Sequence, residues 1–227
     1  MKLPGTIEER LDVFRPERRR LLRETDVADL EDAGLRVECA LAGATWGIEL
    51  RMRPQDIQLL RKDVCADFAL LLARGDDAFE AHVIELKKSV GEREWLHVRE
   101  QLQWAVVRLL AVAGILGARI EGVTVYTAFS NDKLARETSP NLVGMKIPVG
   151  PPPTTEDDAT VRRFAEARRS WESGRFRMEV LGSDVEHRRI QTNEAGCAAV
   201  ACRARPGARE DEARWVFEPV PSHDRGP

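Results

Sequence analysis

Between Val64 and Lys87 the chain reads VCADFALLLARGDDAFEAHVIELK, two apolar runs joined by a polar turn. Side chains alternate faces along a strand, so in Ala66–Ala73 Asp67 shares a face with Ala69 and Leu71, while Phe68, Leu70 and Leu72 point the other way. Both faces are apolar, which predicts a strand inside a sheet covered on both sides. Gly75-Asp76-Asp77 predicts a turn, and Phe79–Lys87 a return strand with Glu85 and Lys87 on one face, Ile84 and Leu86 on the other. Asp67 opens the first strand; Glu85 and Lys87 close the second. Charged groups at the ends of buried strands are costly unless paired or metal-bound. Two carboxylates suit a hard divalent cation such as Mg²⁺. A lysine beside them can orient or deprotonate water, or stabilise charge on a phosphate.

Downstream, Trp95, Val98, Leu102, Val106, Leu109 and Ala113 recur at three- and four-residue spacing and predict a helix over Glu92–Gly114, ended by Gly117. Gln101 falls at the border of its buried face and Gln103 on the other flank. Ile120–Phe129, IEGVTVYTAF, is β-rich; strand, helix and strand in this order predict a crossover joining parallel strands. Upstream, Leu35–Met52 reads as strand, with Ile48, Leu50 and Met52 alternating against polar neighbours up to Pro54. The segment PQDIQLLRKD that follows is compatible with a short helix or an ordered loop.

The ends are read more coarsely. Residues 1–34 are expected to form an N-terminal helical arm carrying Arg15, Arg18, Arg19, Arg20 and Arg23, either a phosphate-touching face or a solvated one. Residues 35–147 form the expected core, and the proline-rich 148–158 a linker. Residues 159–227 form a C-terminal extension with a helix to Glu172, a strand over Phe176–Gly182, and Trp215, Val216 and Phe217 as a docking point before a mobile tail. The expected fold class is α/β (α+β), a central mixed sheet flanked by helices.

Composition narrows the function classes. The 227 residues suffice for one good core with an extension. A net charge of −3, from 35 basic and 38 acidic side chains, argues against a strongly basic nucleic-acid coat protein but leaves room for local basic patches. Cys39, Cys65, Cys197 and Cys202 lack zinc spacing and are expected as reduced thiols. The N-terminus lacks an apolar core of a signal peptide. The longest apolar run, Ala105–Leu116, contains Arg108 and falls short of the roughly 20 residues a membrane span needs. A soluble, cytoplasmic protein with no membrane partner is expected.

An aspartate opening one strand, a turn, Glu-Leu-Lys closing the next, and a following helix that bears a glutamine resemble the PD-(D/E)xK nuclease superfamily, the restriction-endonuclease-like fold. CADFALLL, HVIELKKSV and REQLQWAV carry the resemblance, which covers about residues 64–129. Ala66 stands where the family's eponymous proline is often found. The resemblance implies Asp67 and Glu85 as Mg²⁺ (or Mn²⁺) ligands, with the carbonyl of Leu86 assisting. It implies Lys87 as the residue that orients or activates water, and Gln101 as a support for the site or a contact to the nucleic-acid strand. Some members use a further upstream acid, for which Glu31, Glu38 and Glu49 are candidates. The implied activity is phosphodiester hydrolysis in DNA, in a bacterial restriction or anti-phage defence setting, with a homodimer or larger defence complex as the assembly. Two alternatives stand beside it: a catalytically silent nuclease-fold module that binds nucleic acid or a protein partner, and a purely structural role for Glu85 and Lys87 as a strand-end ion pair.

Overall fold

The computed structural model describes residues 6–42, 44, 46–52, 64–137, 155–205 and 214–220. The chain forms three layers: helices, a seven-stranded mixed sheet and a four-stranded mixed sheet. The strands are β1 (Arg19–Arg23), β2 (Val27–Asp32), β3 (Leu35–Ala40), β4 (Trp46–Arg51), β5 (Phe68–Ala73), β6 (Ala78–Val90), β7 (Arg119–Asp132), β8 (Arg175–Met178), β9 (Ser183–Gln191), β10 (Cys197–Arg205) and β11 (Arg214–Pro219). The helices are α1 (Ile7–Leu11), α2 (Glu92–Leu116), α3 (Lys133–Glu137) and α4 (Thr155–Ser173). The large sheet runs β1-β4-β5-β6-β7-β9-β8 and the small one β11-β10-β3-β2.

The Val64–Lys87 stretch lies near the middle of the large sheet. Every residue of β5 is buried, because helices cover one face and the small sheet the other. β5 pairs antiparallel with β6, and β6 pairs parallel with β7 across the α2 crossover. The apolar stripe of α2 buries Trp95, Val98, Leu102, Val106 and Leu109 against Ala69, Leu71, Val83 and Val125 of the sheet. Gly117, left-handed at φ 68°, ends the helix as a side chain there would resist. On the other face Phe68, Leu70, Leu72, Ile84, Leu86 and Tyr126 meet Val37, Cys39, Val200 and Phe217 of the small sheet. Polar bonds fasten the two sheets. The Tyr126 hydroxyl accepts the Phe217 N–H at 3.1 Å and shares a hydrogen bond with His82 Nδ1 at 3.0 Å.

Both ends of the chain differ from the sequence expectation. Rather than a helical arm, residues 6–34 hold the five-residue α1, a short turn of 3-10 helix and two strands. Arg19–Arg23 pairs antiparallel with β4 as an edge strand, where arginines reach water while Leu22 packs inward. The C-terminal segment is not an appendage. β8 and β9 extend the large sheet, and β10 pairs in parallel with β3, Val200 opposite Cys39. The sheets therefore cut across the expected 1–34, 35–147 and 159–227 division. α4 already begins at Thr155, inside the expected 148–158 linker. Residues 53–63, most of that linker and the tail from 221 lie outside the described residues. None of the four cysteines is in a disulfide, and no helix among the described residues is long and apolar enough to cross a membrane.

Candidate active site

The register Phe68↔Ile84 puts Asp67, one residue before β5, beside Glu85 of β6. Asp67 is fixed from two sides: its carbonyl accepts the Met52 N–H at 2.8 Å, and its Oδ2 accepts the Leu86 N–H at 2.9 Å. Glu85 and Lys87 follow Val83 on the helix-facing side of β6, as alternation requires. Glu85 is 0% exposed. Its Oε1 is held by a close, charge-assisted contact with Lys87 Nζ. The Lys87 side chain is 28% exposed, so this pair runs from the interior to the solvent edge.

Burial sets the electrostatics. It is the largest influence on Glu85, followed by the adjacent Asp67 charge, and together they push the carboxyl up to about 8 against the opposing Lys87. Burial also raises Asp67, with the Leu86 N–H pulling the other way and the Asp32 charge adding to the rise. Two adjacent carboxyls that each resist ionisation make a place where a shared cation would favour their ionised forms.

Gln101 lies behind this pair. Its Nε2 donates to the Cys65 carbonyl at 3.2 Å, tying α2 to the segment that leads into Asp67, and its Oε1 is buried without a hydrogen bond. Gln103 is elsewhere, accepting the Glu179 N–H at 3.2 Å. In a strand the N–H and C=O of one residue point to the same side, which directs the Leu86 carbonyl toward the Asp67 edge.

The candidate upstream acids do not gather here. Glu31 is exposed on β2, and Glu38, outward on β3, pairs with Arg36 at 3.2 Å. Glu49 is buried, but it alternates with Ile48 and Leu50 of the helix-facing side, and its ion pairs are Arg20 at 3.9 Å and Arg51 at 4.0 Å. Asp32, at the end of β2, is instead the upstream acid whose charge reaches Asp67. Neighbours on one strand face opposite ways, and nothing in the sequence says which of Glu31 and Asp32 is turned toward Asp67. Sequence reasoning also took Arg108 only as an interruption of an apolar run; it is 1% exposed and donates to the Val64 carbonyl at 2.8 Å.

The donor set fits a hard divalent cation. Mg²⁺ is commonly held by one or two carboxylates while keeping several waters, and Asp67, Glu85 and the Leu86 carbonyl could supply that. Among the described residues no group of three or more His, Cys, Asp or Glu side chains gathers into a richer metal site. Compared with known proteins, the chain matches no family model, no curated protein and no solved structure.

Proposed function

We propose that the chain is a metal-dependent nuclease of the PD-(D/E)xK, restriction-endonuclease-like kind, hydrolysing phosphodiester bonds in DNA in a restriction or anti-phage defence setting inside the cell. The observation that carries the reading is the carboxyl pair: Asp67 beside the fully buried Glu85, with Lys87 in contact with Glu85 and reaching the solvent edge. Two buried carboxyls side by side are costly unless a cation shares them. The antiparallel β5–β6 hairpin, α2 and the parallel β7 supply the order of elements that the family resemblance implies.

Asp67, Glu85 and the Leu86 carbonyl would hold Mg²⁺ or Mn²⁺. Such an ion supplies neutralisation of the scissile phosphate and a lower pKa for bound water. Lys87, at the solvent edge of the pair, would orient the attacking water or meet the charge that develops on the phosphate. The Gln101 bond to the Cys65 carbonyl supports the role of holding the Asp67 lead-in.

The test is cleavage of double-stranded DNA, single-stranded DNA and RNA with Mg²⁺ or Mn²⁺. Metal-dependent cutting that is lost in Asp67→Ala and Lys87→Ala, with the fold intact, supports the reading. Absence of cutting on every substrate with either metal removes it. The Lys87–Glu85 ion pair favours one second reading, a silent module in which the lysine neutralises the glutamate permanently. Gel-shift binding that persists in the Asp67→Ala, Glu85→Ala double variant, without turnover by the wild type, would select that reading.

A further inference from the structure

Helix α2 carries an arginine where a core residue belongs. Arg108 is 1% exposed, on the same stripe as Ala105, Leu109 and Val112. A chain that needed only packing there would place an aliphatic residue, because burying a guanidinium is costly unless its donors are used. Two of its contacts are backbone carbonyls: Nη1 donates to Val64 O at 2.8 Å and to Trp104 O, one turn back on its own helix, at 3.2 Å. The second bond holds the guanidinium in place; the first grips another segment.

That segment is the irregular approach to Asp67. Gln101 stands about two turns before Arg108, on nearly the same stripe of the helix, and its Nε2 takes the next carbonyl, Cys65 O, at 3.2 Å. Consecutive carbonyls at 64 and 65 are thus pinned to α2, and two residues later the Asp67 side chain reaches the Leu86 N–H. A planar guanidinium with several fixed donors can serve two carbonyls together, which an ammonium on a flexible stem does less well.

We infer that Arg108 is a positioning residue: with Gln101 it clamps the Val64–Cys65 backbone to α2 and so sets where the Asp67 carboxylate sits against β6. The consequence for metal binding rests on the nuclease reading; the consequence for the geometry of Asp67 does not. Outer residues that orient ligands typically change metal affinity about 10- to 100-fold when replaced.

The experiment compares wild type, Arg108→Met and Arg108→Lys, with Asp67→Ala as reference, by amide hydrogen exchange without metal and by Mn²⁺ titration calorimetry. In Arg108→Met, exchange of the Leu86 amide is expected to quicken about tenfold toward that of Asp67→Ala, while the amides of Val83 and Ile84 stay at wild-type rates. Mn²⁺ affinity is expected to fall about tenfold, with partial recovery in Arg108→Lys. Leu86 exchange unchanged in a folded Arg108→Met variant overturns the inference, as does failure of both Arg108 variants to fold, which would make the arginine a requirement of the core. A wild type that binds no Mn²⁺ defeats the nuclease reading instead, and the exchange rates still decide the role of Arg108.

Discussion

The backbone N–H of Leu86 donates to Asp67 Oδ2 at 2.9 Å, so the residue between Glu85 and Lys87 also holds the aspartate of the neighbouring strand. One stretch of β6 therefore fixes all three charged groups relative to one another. The carboxylates come together because strand pairing brings them together, and burial then keeps them reluctant to ionise.

This has a direct pH consequence. Glu85 is carried from its ordinary 4.5 to about 8 on folding. A carboxyl raised in the folded state favours folding fully below its unfolded value, and that contribution is lost as pH rises through the folded value. Glu85→Gln should therefore leave the melting temperature nearly unchanged at pH 5 and raise it above wild type at pH 8.5. Mn²⁺ affinity of the wild type should climb across the same window, because the bound carboxylate must be ionised. Equal melting shifts at both pH values would contradict the assignment.

Lys87 separates chemistry from binding. Lys87→Ala should lower cleavage by about 10²–10⁴-fold, the usual range for a group that moves or orients a proton, while Mn²⁺ affinity stays within about threefold. Loss of Mn²⁺ binding together with cleavage would mean that the lysine builds the site rather than acts in it.

Much of the central architecture was legible because it is local. The alternation in Ala66–Ala73 and Phe79–Lys87 reported which side chains share a face, and the stripe from Trp95 to Ala113 reported α2. The ends were not legible for a physical reason. β1 places its arginines on an edge strand, where a leucine between charges reads equally well as helix or strand. The parallel partner of β3 is β10, far along the chain, and pairing at such separation leaves no mark on either segment alone. Arg108 was overlooked since its value lies in a carbonyl of another segment, and Asp32 since only folding brings its charge near Asp67.

Two buried histidines are expected to make the fold acid-sensitive. His187 sits among Trp95, Trp171 and Phe176 with Thr127 Oγ1 at 3.0 Å from its Nε2 and no hydrogen bond at Nδ1. Burial lowers it to about 3, as it does His82. A histidine depressed in the folded state contributes stability above its unfolded value near 6.5, lost as pH falls toward 3. Urea midpoints at pH 7.5 and 4.5 should differ less in His187→Leu than in wild type. An identical acid loss in both would show that this histidine does not drive it.

Gly47 marks where β4 presses on β5. A Cβ there would lie 2.8 Å from the Leu71 carbonyl oxygen and 2.9 Å from Leu72 Cδ2. Gly47→Ala should cost about 1–3 kcal/mol by overpacking, read from denaturant unfolding; a neutral result would mean that the two strands separate freely at that point.

The most direct test of the central claim is an anomalous difference map from a crystal soaked in Mn²⁺. A peak within about 2.0–2.6 Å of an oxygen of both Asp67 and Glu85 is the expected result. A map with no ion between them, and Glu85 still held by Lys87 alone, would contradict the account.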